Sequence, residues 1–164
     1  MTIPSPRPIN HLGIGVPDLD AAIAWYRDCL GYRLISGPID KDIARDRTGQ
    51  MPEILGPIAR RLRVAHLSTG GGPGIELFQT IDPPFERPEI AVQFFRAGPF
   101  HFCVTDPDVA GLAARIAATG GKQRTRVWYA RPPSEEFTMT YCEDPFGTII
   151  EIHSHPYEVV NPVR

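Results

Sequence analysis

HLGIGVPDL, residues 11–19, and HFCVTDPDV, residues 101–109, are two versions of one stretch, and reading them as a repeat decides the fold. His11 pairs with His101, Leu12 with Phe102, Ile14 with Val104, Pro17 with Pro107 and Asp18 with Asp108. The same offset of 90 residues continues downstream. Leu19, Ala22, Ile23 and Tyr26 match Val109, Leu112, Ala113 and Ile116 at helical spacing, and Gly31 matches Gly121. In each copy a short alternating strand ends at Pro-Asp, the aspartate is placed to cap a helix N-terminus, and the glycine is placed to end the helix in a left-handed turn.

Working outward, GIELF (74–78) resembles TIIEIH (148–153), with Glu76 opposite Glu151 between apolar neighbours. Each follows glycines suited to a hairpin turn. Between helix and final strand each copy has room for two more strands, at 32–35 and 62–68 in the first and at 122–127 and 138–143 in the second. The pattern predicts an α+β chain of two tandem βαβββ modules, about 8–82 and about 98–155, forming a curved, cup-like mixed sheet with the helices outside. Residues of about 83–97 read as a proline-rich linker with one helical turn, and 156–164 as a surface tail. Residues 37–61 read as a long insertion, too broken by Gly and Pro for a regular element and of a size typical of lids and binding loops.

Composition excludes several classes. At 164 residues with 42% hydrophobic content the chain can bury one substantial core. Its formal net charge of −2 gives no general attraction to nucleic acid or anionic lipid. No apolar run approaches a membrane span, and MTIPSPRPIN lacks a signal-peptide core, so a cytoplasmic location is expected. Cys29, Cys103 and Cys142 form an odd set without CxxC spacing. They indicate neither disulfides nor a zinc ribbon, and each reads as a small buried residue. There is no nucleophilic triad or dinucleotide fingerprint, and GGGPG at Gly70 reads as a hairpin turn.

Strand alternation then gives the chemistry. His11 shares a face with Gly13 and Gly15, while Leu12, Ile14 and Val16 point toward the helix. His101 shares a face with Cys103 and Thr105, and Glu76 and Glu151 lie opposite their apolar neighbours. Taken singly, each of the four is a core histidine or a solvent-facing strand glutamate. Their recurrence at matched places in two copies favours one divalent metal ion held by two imidazoles and two carboxylates. That donor set suits Fe, Mn, Co, Ni or Zn with positions left open.

From INHLGIGVPDLDAAIAWYRDCLGYRL through GIELF and FHFCVTDPDV to EDPFGTIIEI, the chain resembles the vicinal oxygen chelate superfamily, which includes glyoxalase I, methylmalonyl-CoA epimerase, extradiol dioxygenases and bleomycin-resistance proteins. Its ligand pattern is nearest to the first two. The resemblance implies metal ligands His11, Glu76, His101 and Glu151, and a metal-dependent lyase or isomerase working through an ene-diolate. Glu151, and after it Glu76, is implied as the proton carrier. It also implies a small-molecule substrate and a homodimer. The rival readings are an Fe(II) extradiol-type ring-cleaving dioxygenase, in which Glu76 would not coordinate, and a metal-free ligand-binding or resistance protein. His153, Tyr141, Met139 and Trp128 are the candidate substrate-binding residues, joined by Tyr129, His155 and Tyr157. Their ordinary alternatives are core or surface positions, and His66 reads as a strand residue in the wall. Arg45, Arg47, Arg60, Arg61 and Arg63 read as a solvated basic cluster able to receive a substrate carboxylate or phosphate.

Overall fold

The computed structural model describes residues 5–45, 49–90 and 92–162, in two compact units that divide between Glu86 and Arg87. The architecture is mixed α+β, with one sheet in each unit.

The first unit runs β1 (His11–Gly15), α1 (Leu19–Leu30), β2 (Arg33–Asp42), α2 (Gln50–Leu55), β3 (Arg61–Ser68) and β4 (Gly74–Asp82). Its sheet has the order β1-β4-β3-β2, with β1 parallel to β4 and the other pairs antiparallel. The second unit runs β5 (Phe102–Thr105), α3 (Val109–Ala118), β6 (Lys122–Gln123), β7 (Trp128–Arg131), β8 (Ser134–Glu143), β9 (Ile149–His153) and α4 (Tyr157–Val160). Here the order is β5-β9-β8-β6, with β5 parallel to β9 and β7 also paired to β8.

Local chemistry explains the shared plan. Asp18 accepts the Ala21 N–H at 3.0 Å and Asp108 accepts the Gly111 N–H at 2.9 Å, so both helices start where the Pro-Asp pair predicts. α1 ends on Gly31 at φ 72°. α3 ends earlier than its copy, on Thr119, and the left-handed residue is Gly120 at φ 94° and not Gly121. Gly121 serves close approach instead, since a Cβ there would meet the Glu143 carbonyl at 2.5 Å. α1 buries Leu19, Ala22, Trp25, Tyr26 and Cys29, while α3 buries Val109, Leu112, Ala113 and Ile116. Facing strands supply Ala65, Leu67, Ile75 and Leu77 in the first unit, and Cys142, Ile150 and Ile152 in the second. The fully buried Thr140 hydroxyl is satisfied by the Thr125 carbonyl at 2.8 Å.

Four segments differ from expectation. Residues 37–61 are more regular than their composition suggests. β2 passes through Gly37, at φ 99°, with register shifts against β3, and continues to Asp42 before α2 forms. Ile43 and Ala59 then close on Leu62 and Val64, with Met51, Leu55 and Phe78 packed around them. Leu62, Val64 and His66 alternate along β3 away from Ala65 and Leu67, so this second small core lies on the sheet face opposite α1. In the second unit, the strand expected at 122–127 is only two residues long. The chain breaks at Arg124 and Thr125, both of whose N–H groups turn to the Tyr141 carbonyl, and resumes as β7. Between β4 and β5 the described residues hold only turns and bends, one turn closed by the Arg96 N–H on the Gln93 carbonyl, and no helix. The tail contains α4, whose Val160 is buried and whose Val160 carbonyl accepts from Arg131.

Among the described residues, no helix is long and apolar enough to cross a membrane.

Candidate functional site

In the first unit, the β1/β4 register sets Gly13 beside Glu76, and the β3/β4 register sets His66 on its other flank. His11 Nε2 lies 3.5 Å from Glu76 Oε2, and His66 Nδ1 lies 3.7 Å from Glu76 Oε1. The His11 Nδ1–H donates to Asn10 Oδ1 at 2.8 Å. In the neutral ring that bond favours the tautomer whose Nε2 lone pair faces the Glu76 carboxylate, the arrangement a bridging cation would use. Gly13 has a steric reason: a Cβ would meet the Phe78 ring at 3.3 Å, and Phe78 belongs to the small core built by the 37–61 segment. The insertion therefore forms the wall beside His66 and Glu76.

The second unit repeats the pair in a richer setting. His101 Nε2 lies 3.1 Å from Glu151 Oε2, and His153 Nε2 lies 3.1 Å from Glu151 Oε1. Register places Cys103 directly beside Glu151 on β5 and Tyr141 directly beside it on β8. The Glu151 side chain is only 12% exposed, against 19% for Glu76. His101 packs edge-on against Tyr141, and its Nδ1 is a buried nitrogen without a hydrogen-bond partner. Burial, a hydrogen bond to Glu151 and the charge of that carboxylate all push the Tyr141 hydroxyl upward from its ordinary pKa.

Cys103 corrects the reading of all three cysteines as buried, since Cys29 and Cys142 are buried and Cys103 is exposed. Although the residue is open to solvent, partial loss of water at the sulfur, reinforced by the Glu151 charge and hydrogen bond, pushes its thiol up to about 12. Cys103, Glu151 and His153 each offer a ligand atom, and these atoms lie within 4.8 Å of one another. The signal was present in the alternation that puts Cys103 on the face of His101.

Other candidates fall into place unit by unit. Met139 pairs across the sheet with both His153 and Trp128. Trp128 and Tyr129 are each 46% exposed, and the Arg126 guanidinium stacks 3.7 Å above the Trp128 ring. His155 bonds Ser154 and packs on Phe137, apart from the Glu151 contacts, and Tyr157 is exposed. Of the basic cluster, Arg63 pairs with Asp20 at 2.8 Å and Asp40 at 3.4 Å, Arg45 with Asp42, and Arg60 with Asp82. Arg61 is exposed, and Arg47 lies outside the described residues.

Each unit thus sets one imidazole nitrogen against one carboxylate oxygen, 3.5 Å apart in the first and 3.1 Å in the second. Two ligand atoms held about 2.0–2.2 Å from one ion, at angles between octahedral and tetrahedral, stand about 2.8–3.6 Å apart. The His–Glu separations of 3.1 and 3.5 Å meet that requirement.

A paired βαβββ plan with such donors defines a class, and the comparisons agree. The Glyoxalase/Bleomycin resistance protein/Dioxygenase superfamily matches residues 8–152, and the chain belongs to that superfamily. Its fold is similar to a glyoxalase family protein from Bacillus cereus, at 19% identity and TM-score 0.73 over 93% of this chain and 97% of that one. It is also similar to glyoxalase I from Leishmania major, at 21% identity and TM-score 0.56 over 90% and 86% of the two chains. Against glyoxalase I from Zea mays it reaches 20% identity and TM-score 0.58, covering 90% of this chain and 44% of that one. No curated protein matches it significantly in sequence.

Proposed function

We propose that this chain is a divalent-metal-dependent lyase or isomerase of the glyoxalase or epimerase type, with His11, Glu76, His101 and Glu151 as metal ligands. The observation that carries this reading is the apposition, in each unit, of one imidazole nitrogen and one carboxylate oxygen at ligand spacing, 3.5 Å in the first and 3.1 Å in the second. Asn10, by holding the His11 Nδ1 proton, supports it by supplying the tautomer that coordination requires.

A divalent ion in such a site acts as a Lewis acid for a substrate with neighbouring oxygens, favouring the ene-diolate left when the carbon beside a carbonyl loses its proton. The chain's own residues manage that proton. Glu151 is the carboxylate assigned to receive it, and His153 Nε2, 3.1 Å from its Oε1, orients that carboxylate. Tyr141 and His101 hold the carboxylate from the other sides. Glu76 is the second carboxylate available for the same work on the first unit. The presence of a donor at Glu76, 3.5 Å from His11, supports proton transfer over a ring-cleaving dioxygenase.

The test is elemental analysis of protein purified without chelators, followed by deuterium incorporation from solvent at the carbon beside a carbonyl, read by NMR across hydroxyketone, hemithioacetal and thioester substrates. Expected are a bound transition ion, exchange that ceases on chelation, and recovery on adding the ion back. Less than a trace of metal after reconstitution would leave a ligand-binding protein, and oxygen uptake by the ferrous protein with catechols would establish the dioxygenase.

A further inference from the structure

The two carboxylates are set among unlike neighbours, and the difference is one of donors. Beside Glu76 stand Gly13 on one flank and His66 on the other, its Nδ1 3.7 Å from Oε1, and Phe78 follows on the same strand face, so the first unit offers an imidazole there and no sulfur. Beside Glu151 stands Cys103, and His153 follows it on the same face. Glu151 divides its two oxygens, Oε2 toward His101 and Oε1 toward His153, each at 3.1 Å. The Oε1 side therefore gathers a carboxylate oxygen, an imidazole nitrogen and a sulfur within 4.8 Å of one another. Around a tetrahedral zinc-like ion such donors stand about 3.3–3.6 Å apart, and binding would draw the three together to that spacing. Of the three cysteines only Cys103 is exposed, so an ion from solvent reaches it.

We propose that the second unit holds a thiophilic divalent ion of the zinc class through Cys103, Glu151 and His153. The proposal deepens the metal reading, on which it rests for the role of Glu151, and adds two ligands that give the site its selectivity. Sulfur and imidazole favour zinc and cobalt over magnesium, manganese and calcium. Binding replaces the thiol proton with the ion, and the proton leaves to solvent.

The experiment is a cobalt(II) titration of the full-length protein, followed by near-ultraviolet absorption. The expected result is an intense thiolate-to-cobalt charge-transfer band, absent in Cys103→Ser, with zinc affinity about tenfold or more weaker in both Cys103→Ser and His153→Ala. Circular dichroism confirms folding, and the serine variant is nearly isosteric. Cobalt binding without the band, or a band that survives in Cys103→Ser, overturns the proposal. The parent reading is judged separately, through His11→Ala. A band that persists there with unchanged stoichiometry supports the thiolate site and tells against the four-ligand set.

Discussion

Glu76 and Glu151 occupy the same place in two copies of one strand plan, yet the first sits among Gly13, His66 and Phe78 and the second among Cys103, Tyr141 and His153. Duplication preserved the position of the acid and left its flanks free to diverge. Backbone register fixes where a side chain starts, whereas its hydration and partners come from the two strands beside it. That is why two carboxylates of one origin are suited to unequal duties.

The largest effect that sharpens this comparison is expected in catalysis. Glu151→Gln lowers the solvent-exchange rate by about 10²–10⁴-fold, the usual contribution of a positioned acid–base group. Glu76→Gln lowers it by a smaller factor and shows mainly as lost metal on elemental analysis. Equal losses of rate would erase the proposed division of labour.

Next come the two hairpins that lead into β4 and β9. The second is shaped by one carboxylate: Asp144, 3% exposed, accepts the N–H groups of Phe146 at 2.9 Å and Thr148 at 2.7 Å. The first is shaped by Gly70 and Gly71, both at positive φ, with two hydroxyl bonds, Thr69 to the Pro73 carbonyl and the Gly70 N–H to the Ser68 hydroxyl. Asp144→Ala is expected to cost about 1–3 kcal/mol by urea unfolding, because it strands buried donors, and Thr69→Ala about 1 kcal/mol or less. The helix caps are the control. Asp18→Ala and Asp108→Ala should each cost about 1 kcal/mol and agree closely, since their bonds are alike.

The smallest effect is one of pH. Tyr32, matched by the exposed Lys122 in the repeat, is buried, and burial pushes its hydroxyl from 10.0 to about 12. Between those values the folded chain keeps a proton that the unfolded chain releases. Its contribution is therefore fully present below pH 10 and lost as pH rises toward 12. Tyr32→Phe should flatten that part of the denaturation-midpoint profile relative to wild type.

Much of this was legible in the chain. Matched His and Glu residues, Pro-Asp caps and the Gly31 terminus are local signals, each enforced by a single turn or strand, and the repeat let one copy check the other. What escaped depends on neighbours remote in sequence. Cys103 looks like an ordinary small apolar residue until β9 brings a carboxylate alongside it. The 37–61 segment looks irregular because Gly37 and Pro38 interrupt its pattern, and only pairing with β3 carries the strand past them. The break at Arg124 is likewise set by its partner strand, through the Tyr141 carbonyl, and Gly120 takes the left-handed turn because α3 stops short of its copy.

The small core of Ile43, Ala59, Leu62 and Val64 has one more consequence. It roofs β3 on the side that α1 leaves bare, so this strand is clad on both faces. In hydrogen–deuterium exchange the amides of β3 should be the last in the first unit to equilibrate with heavy water, and the Leu62→Ala variant should release them first.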